Sequence, residues 1–151
     1  MALGKNIGIF CKLKPAISRD ALAGLVAWLR KRDYQVFMDD ETAAVVGESS
    51  PYKKSEIPAR ANLIIVLGGD GTLLSVARIA HSYNVPILAV NLGSLGFMTE
   101  VALPELYETF EKAMDGKCVL EKRMVLNATL LRDGKIEREY NVLNDVVING
   151  V

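Results

Sequence analysis

Residues 63–67 read Leu-Ile-Ile-Val-Leu, an unbroken apolar run followed at once by Gly68-Gly69-Asp70-Gly71-Thr72. A five-residue run with no polar alternation predicts a strand buried on both faces, the signature of a parallel sheet covered by helices. Leu73 to Ala80 continues with a helical pattern. Three glycines and one carboxylate therefore fall at a strand-to-helix turn, where open α/β sheets bind ligands. Glycine lets a backbone approach a phosphate closely, and a helix N-terminus offers free N–H groups to an anion. Asp70 adds a group that can orient or deprotonate a hydroxyl. Phosphate together with hydroxyl points to phosphoryl transfer to an alcohol. A purely local role is the competing account, with Thr72 as N-cap and Asp70 favouring the helix dipole. The turn has neither the Gly-Lys-Ser/Thr of a P-loop nor the spacing of a dinucleotide fingerprint.

The first hundred residues alternate strand and helix. Asn6–Cys11 reads as a first strand, and Lys12 to Ile17 as a loop. Ser18 is placed to cap a helix whose Leu22, Leu25, Val26 and Leu29 fall on one face. The basic run Arg30-Lys31-Arg32 suits the C-terminal end of that helix. Gln35–Met38 is a short second strand, and Asp39-Asp40-Glu41 after it reads as a solvated acidic loop. Residues 42–60 have weak periodicity and predict a partly irregular connection. Pro86–Val90 is another buried strand. It runs into Asn91-Leu92-Gly93-Ser94-Leu95-Gly96-Phe97-Met98-Thr99, a second glycine-bearing loop. In a parallel sheet both loops lie on the carboxyl edge, so the two can face one ligand.

Leu103 to Asp115 predicts a helix with Pro104 in its first turn and Gly116 just past its end. The period then changes to two: Met124, Leu126, Ala128 and Leu130 alternate, Asp133-Gly134 is a hairpin signal, and Lys135–Tyr140 and Val142–Ile148 are strand-like. The fold expected is α/β, a Rossmann-like or phosphofructokinase-like parallel-sheet domain followed by the start of an all-β domain. The division is 1–118 for the α/β nucleotide-binding domain and 119–151 for the beginning of a β-rich region. Asn149-Gly150, a favoured two-residue turn at the very end, suggests a truncated piece.

The totals exclude several classes. Lys+Arg and Asp+Glu are both 18, so the formal net charge is zero and no global field points to nucleic acid or membrane. No stretch approaches the ~20 apolar residues of a membrane span, and no signal-peptide pattern opens the chain. Cys11 and Cys118 are too few for a disulfide framework and lack metal-site spacing, and His81 stands alone. A cytoplasmic location is the expectation, with no protein-held metal.

Four blocks in order, Gly68–Thr72, Val85–Thr99, Glu121-Lys122-Arg123-Met124 and Leu143-Asn144-Asp145-Val146-Val147, resemble the N-terminal portion of bacterial-type NAD kinases (ATP-NAD kinases) over nearly the whole chain. The glycine–aspartate turn alone is shared with phosphofructokinases and with diacylglycerol and sphingosine kinases. The Asn91–Thr99 loop and the Asn144-Asp145 pair are more specific. The resemblance implies transfer of the γ-phosphoryl of ATP, or of polyphosphate, to the adenosine-ribose 2′-hydroxyl of NAD, giving NADP. It assigns Asp70 as proton acceptor and NAD contact, with Gly69, Gly71 and Thr72 beside it. Phe97 is implied near the nucleotide, and Asn144 and Asp145 as NAD-binding. It also implies Mg²⁺ or another divalent cation with ATP, and a homo-oligomer. An aspartate at a helix N-terminus is a weak base, which leaves it to orient a hydroxyl or hold Mg²⁺. Arg123 either contacts phosphate or pairs with Glu121. Family members continue for more than a hundred further residues, so half a site is expected in this chain. The alternatives are a lipid or sugar kinase sharing the turn, and a nucleotide-binding module without catalysis.

Overall fold

The computed structural model describes residues 3–12, 17–93, 96–143 and 145–147, with the backbone alone for Ile17 and Ser18. The chain forms two compact units, Met1–Val119 and Leu120–Val151.

The first unit is built on five parallel strands in the order β2-β1-β3-β4-β5. These are β1 (Asn6–Cys11), β2 (Gln35–Met38), β3 (Leu63–Leu67), β4 (Ile87–Asn91) and the two-residue β5 (Val101–Ala102). β3 lies at the centre, with Ile9 opposite Ile65 on one side and Ile65 opposite Leu88 on the other. All five β3 residues are buried, which explains the lack of alternation in its sequence. Alternate residues enter two cores. Ile7, Ile9, Leu63, Ile65 and Leu67 pack with Leu22, Leu25 and Leu29 of α1 (Ile17–Arg30) and with Leu106 and Phe110 of α5 (Leu106–Met114). Phe10, Ile64 and Val66 pack with Ile57 of α3 (Ile57–Arg60) and with Leu73, Val76 and Ala80 of α4 (Asp70–Ala80). Truncating one of these buried side chains, such as Ile65, to alanine should cost ~2–5 kcal/mol.

Several elements differ from the sequence expectation. Residues 42–60 are more regular than their periodicity suggests. They contain most of α2 (Asp40–Val45), a 3₁₀ turn at Lys54–Glu56 and α3. Asp39 belongs to no solvated loop: it is buried and caps α2, its carboxylate accepting from the Thr42 N–H at 3.2 Å. Ser18 lies inside α1 rather than before it. Arg30 at the end of α1 forms a bidentate pair with Glu48 at 2.7 and 2.8 Å, so it binds a side chain besides facing the dipole. Arg32 lies over the Trp28 ring at 4.0 Å. α4 begins at Asp70, three residues early, with Gly69 as its N-cap in place of Thr72. Pro104 belongs to a 3₁₀ turn, Leu103–Glu105, that precedes α5 instead of opening it.

The second unit is an antiparallel hairpin of β6 (Val125–Arg132) and β7 (Lys135–Leu143). The ladder begins at Val125, later than the period change in the sequence. Asp133 and Gly134 join the strands with φ of 50° and 73°, the two left-handed residues that a tight hairpin turn requires. β7 runs unbroken through Asn141, where the sequence suggested two segments. Asn149-Gly150 lies outside the described residues.

Candidate functional site

The β3–α4 turn and the β4–β5 loop meet at the carboxyl edge of the sheet, and one side chain joins them. Asp70 is the first residue of α4 and is partly buried. Its Oδ2 accepts the Phe97 N–H at 2.8 Å. Its Oδ1 accepts the Met98 N–H at 3.1 Å, the Thr99 N–H at 3.0 Å and the Thr99 hydroxyl at 3.0 Å. A carboxylate has about four acceptor positions, two on each oxygen. Oδ1 is saturated, and among the described residues a single donor reaches Oδ2. Partial withdrawal from water pushes this carboxyl upward. The Met98 N–H, the Thr99 hydroxyl and the Phe97 and Thr99 N–H groups together outweigh that and hold it below its ordinary value.

Glycines around Asp70 fall into two kinds. A Cβ on Gly96 would collide with the Asp70 carboxylate and lie 2.5 Å from Thr99 Oγ1, so only glycine lets the loop close on Asp70. A Cβ on Gly68 would lie 2.6 Å from Thr72 Oγ1. Gly69 and Gly71 are the other kind. Neither has positive φ, and a Cβ on either would meet nothing within 4 Å. Neither the described protein atoms nor the backbone conformation require glycine there. Open space above a helix N-terminus is what close approach of an anion uses.

Phe97 is 84 % exposed, a large aromatic face presented beside this turn. Thr72 lies in the first turn of α4 and is partly buried. The structure thus brings Gly69, Asp70, Gly71 and Thr72 together with the Phe97 loop. Asn144 lies outside the described residues. Asp145 belongs to the second unit, just past β7, where its N–H donates to the Leu143 carbonyl at 3.0 Å and the residue is exposed. Arg123 pairs with Glu121 at 2.8 Å.

Asn91 and Thr99 bound the second loop motif, and the structure joins them: Asn91 Nδ2 donates to Thr99 Oγ1, which in turn bonds Asp70, a link that the motif itself does not show. Asn91 ends β4 and Thr99 is fully buried. A polar residue closing a buried apolar strand is the signal that could have found Asn91; Thr99, in the loop, has no such signal. Among the described residues no group of three or more His, Cys, Asp or Glu is placed to hold a metal ion. No described helix is long and apolar enough to cross a membrane.

Residues 7–118 match the family model for the ATP-NAD kinase N-terminal domain. The chain belongs to the NAD kinase family. It is 46 % identical over 146 residues to the NAD kinase of Syntrophotalea carbinolica, covering 96 % of this chain and 51 % of that protein. It is 43 % identical to the NAD kinase of Geotalea daltonii, again over 96 % of this chain and 51 % of that protein. This NAD kinase-family chain therefore spans about half the length of the curated relatives it matches. The crystal structure of yeast NADH kinase complexed with NADH shares the fold, with a TM-score of 0.74 and 22 % identity over 92 % of this chain and 46 % of that one.

Proposed function

We propose that this chain is the N-terminal portion of an NAD kinase that transfers the γ-phosphoryl of ATP, or of polyphosphate, to the 2′-hydroxyl of the adenosine ribose of NAD. The observation that carries the reading is the union of the two glycine-bearing loops through Asp70, beside the open backbone of Gly69 and Gly71. In the proposed roles, Gly69, Gly71 and the first turn of α4 receive phosphate. Thr72 flanks them, and Phe97 offers its exposed ring to a base. Asn144 and Asp145 contribute NAD contacts. Residues 1–118 act as the nucleotide-binding domain, and 119–151 begin a β-rich NAD-binding domain.

Phosphoryl transfer passes through a loose transition state, so orientation and charge neutralisation outweigh base strength. The downward shift of Asp70 suits that balance. A carboxylate that stays ionised at neutral pH orients a hydroxyl better than it removes its proton. Mg²⁺ or another divalent cation bound to ATP neutralises phosphate charge. The working protein is a cytoplasmic homo-oligomer, with no nucleic-acid or membrane partner.

One observation favours a second reading, a nucleotide-binding module without chemistry: four donors already engage the Asp70 carboxylate. The test compares the 151-residue chain with a version extended to the length of its relatives, assayed for NADP with ATP and NAD supplied. NADP formation by the extended chain supports the kinase. Nucleotide binding without NADP in both supports the module.

A further inference from the structure

The donors around Asp70 form a chain with a single direction. The Gly93 N–H donates to Asn91 Oδ1 at 2.8 Å, which fixes the Asn91 amide with Nδ2 turned toward Thr99. Asn91 Nδ2 donates to Thr99 Oγ1 at 2.8 Å. A hydroxyl has one proton to give. With the amide donating into its oxygen, Thr99 points that proton at Asp70 Oδ1, 3.0 Å away. Asn91 is 6 % exposed and Thr99 0 %, so water does not compete for these bonds. No buried polar side-chain atom among the described residues lacks a partner. Among the described residues the carboxylate is asymmetric: three donors occupy Oδ1 and one occupies Oδ2.

We infer that Thr99, its hydroxyl aimed by Asn91, is a positioning residue that ties down Oδ1 of Asp70 and leaves Oδ2 to accept the substrate hydroxyl. The inference rests on the phosphoryl-transfer reading of the turn. It adds that the rotamer of Asp70 is set from inside the sheet edge, by side chains that touch no substrate. Buried, fully satisfied polar chains of this kind hold one geometry, and a group held in place ahead of reaction needs no reorganisation during it.

Thr99→Val keeps the shape and removes the proton; Thr99→Ser keeps the hydroxyl. In the extended protein, Thr99→Val should lower kcat roughly tenfold or more, the effect of losing a hydrogen bond to a charged group. KM for both nucleotides should change little, because the loss falls on orientation rather than on binding. Thr99→Ser should restore most of the rate. In the 151-residue chain, hydrogen exchange at the Phe97 and Met98 amides should quicken in Thr99→Val and return in Thr99→Ser. Normal kcat in Thr99→Val would overturn the inference, as would a Thr99→Ser variant no better than Thr99→Val. Asp70→Asn is the control for the underlying reading. Full turnover in Asp70→Asn would remove the phosphoryl-transfer role and the inference with it, whereas a dead Asp70→Asn beside a normal Thr99→Val would overturn the inference alone.

Discussion

The backbone N–H of Phe97 donates to Oδ2 of Asp70 at 2.8 Å, joining residues 27 positions apart. This bond fixes a highly exposed aromatic of the first unit to the first residue of α4. The side chain that sequence motifs single out for chemistry is also the one that shapes the loop beside it.

Gly96 is the residue that permits this closure. In Gly96→Ala the new methyl would press on the Asp70 carboxylate and Thr99 Oγ1. The loop must shift, at a cost of ~1–3 kcal/mol, as for other overpacked sites. Urea unfolding followed by the fluorescence of Trp28, the one tryptophan in the chain, would measure it. A variant as stable as the wild type would show that the loop does not rely on this contact.

Gly69 and Gly71 should behave in the opposite way. Gly71 lies in the first turn of α4, where an alanine methyl meets no atom of the described residues within 4 Å and alanine is the better helix former. Gly71→Ala should leave stability unchanged or raise it by up to ~1 kcal/mol. Nucleotide binding in the extended protein should nevertheless fall, because the added methyl occupies the space proposed above for phosphate. Thermal melting beside calorimetric titration with ATP and NAD reads both effects. Retained binding in both Gly69→Ala and Gly71→Ala would place the phosphate elsewhere.

The held-down pKa of Asp70 predicts a direction in pH. Its carboxyl lies lower in the folded chain than in an unfolded one, so the folded state favours the ionised form. The stabilisation is fully present above the ordinary carboxylate range and is lost as pH falls through the folded value. Wild type should exceed Asp70→Asn in stability at neutral pH, and the gap should close on acidification below about pH 4. Denaturation midpoints across that window test it; a constant gap would mean that ionised Asp70 contributes nothing.

The path from sequence to fold is most legible where one face of an element decides everything. β3 is readable to the residue because burial on both faces demands continuous apolar character. The α1 stripe Leu22, Leu25, Val26 and Leu29 is buried as its spacing requires. Short elements are not legible. α3 has four residues and β5 two, too few to show a period, and both exist because the sheet offers them a surface. Asp39 misleads because a carboxylate in an acidic run looks solvated until its capping bond is seen. Within the site, both loops and Asp70 are visible as motifs. The Asn91–Thr99 bond is not, since nothing local links residues eight apart across a loop.

The hairpin carries a further prediction. Leu131 and Ile136 face each other across the strands and are 60 % and 62 % exposed; Leu130 is also exposed. Exposed apolar strands seek pairing, so the 151-residue chain should associate through this unit. Leu131→Glu combined with Ile136→Lys places opposite charges on a cross-strand pair, which keeps the hairpin and removes the most exposed apolar pair of its strands. Light scattering should show smaller species for the double variant. Equal size in both would assign association to another surface.

Steady-state NADP formation by Asp70→Asn is the most direct test of the role proposed for Asp70. The assay uses the protein extended to the length of its relatives, with ATP and NAD saturating. The variant should fold as the wild type does, since asparagine fills the same volume and retains a carbonyl acceptor. Its rate should fall ~10²–10⁴-fold, the usual loss when a positioned acid–base group is removed. A folded Asp70→Asn enzyme that forms NADP at the wild-type rate would contradict a role for Asp70 in phosphoryl transfer, leaving it as a tie between two loops and nothing more.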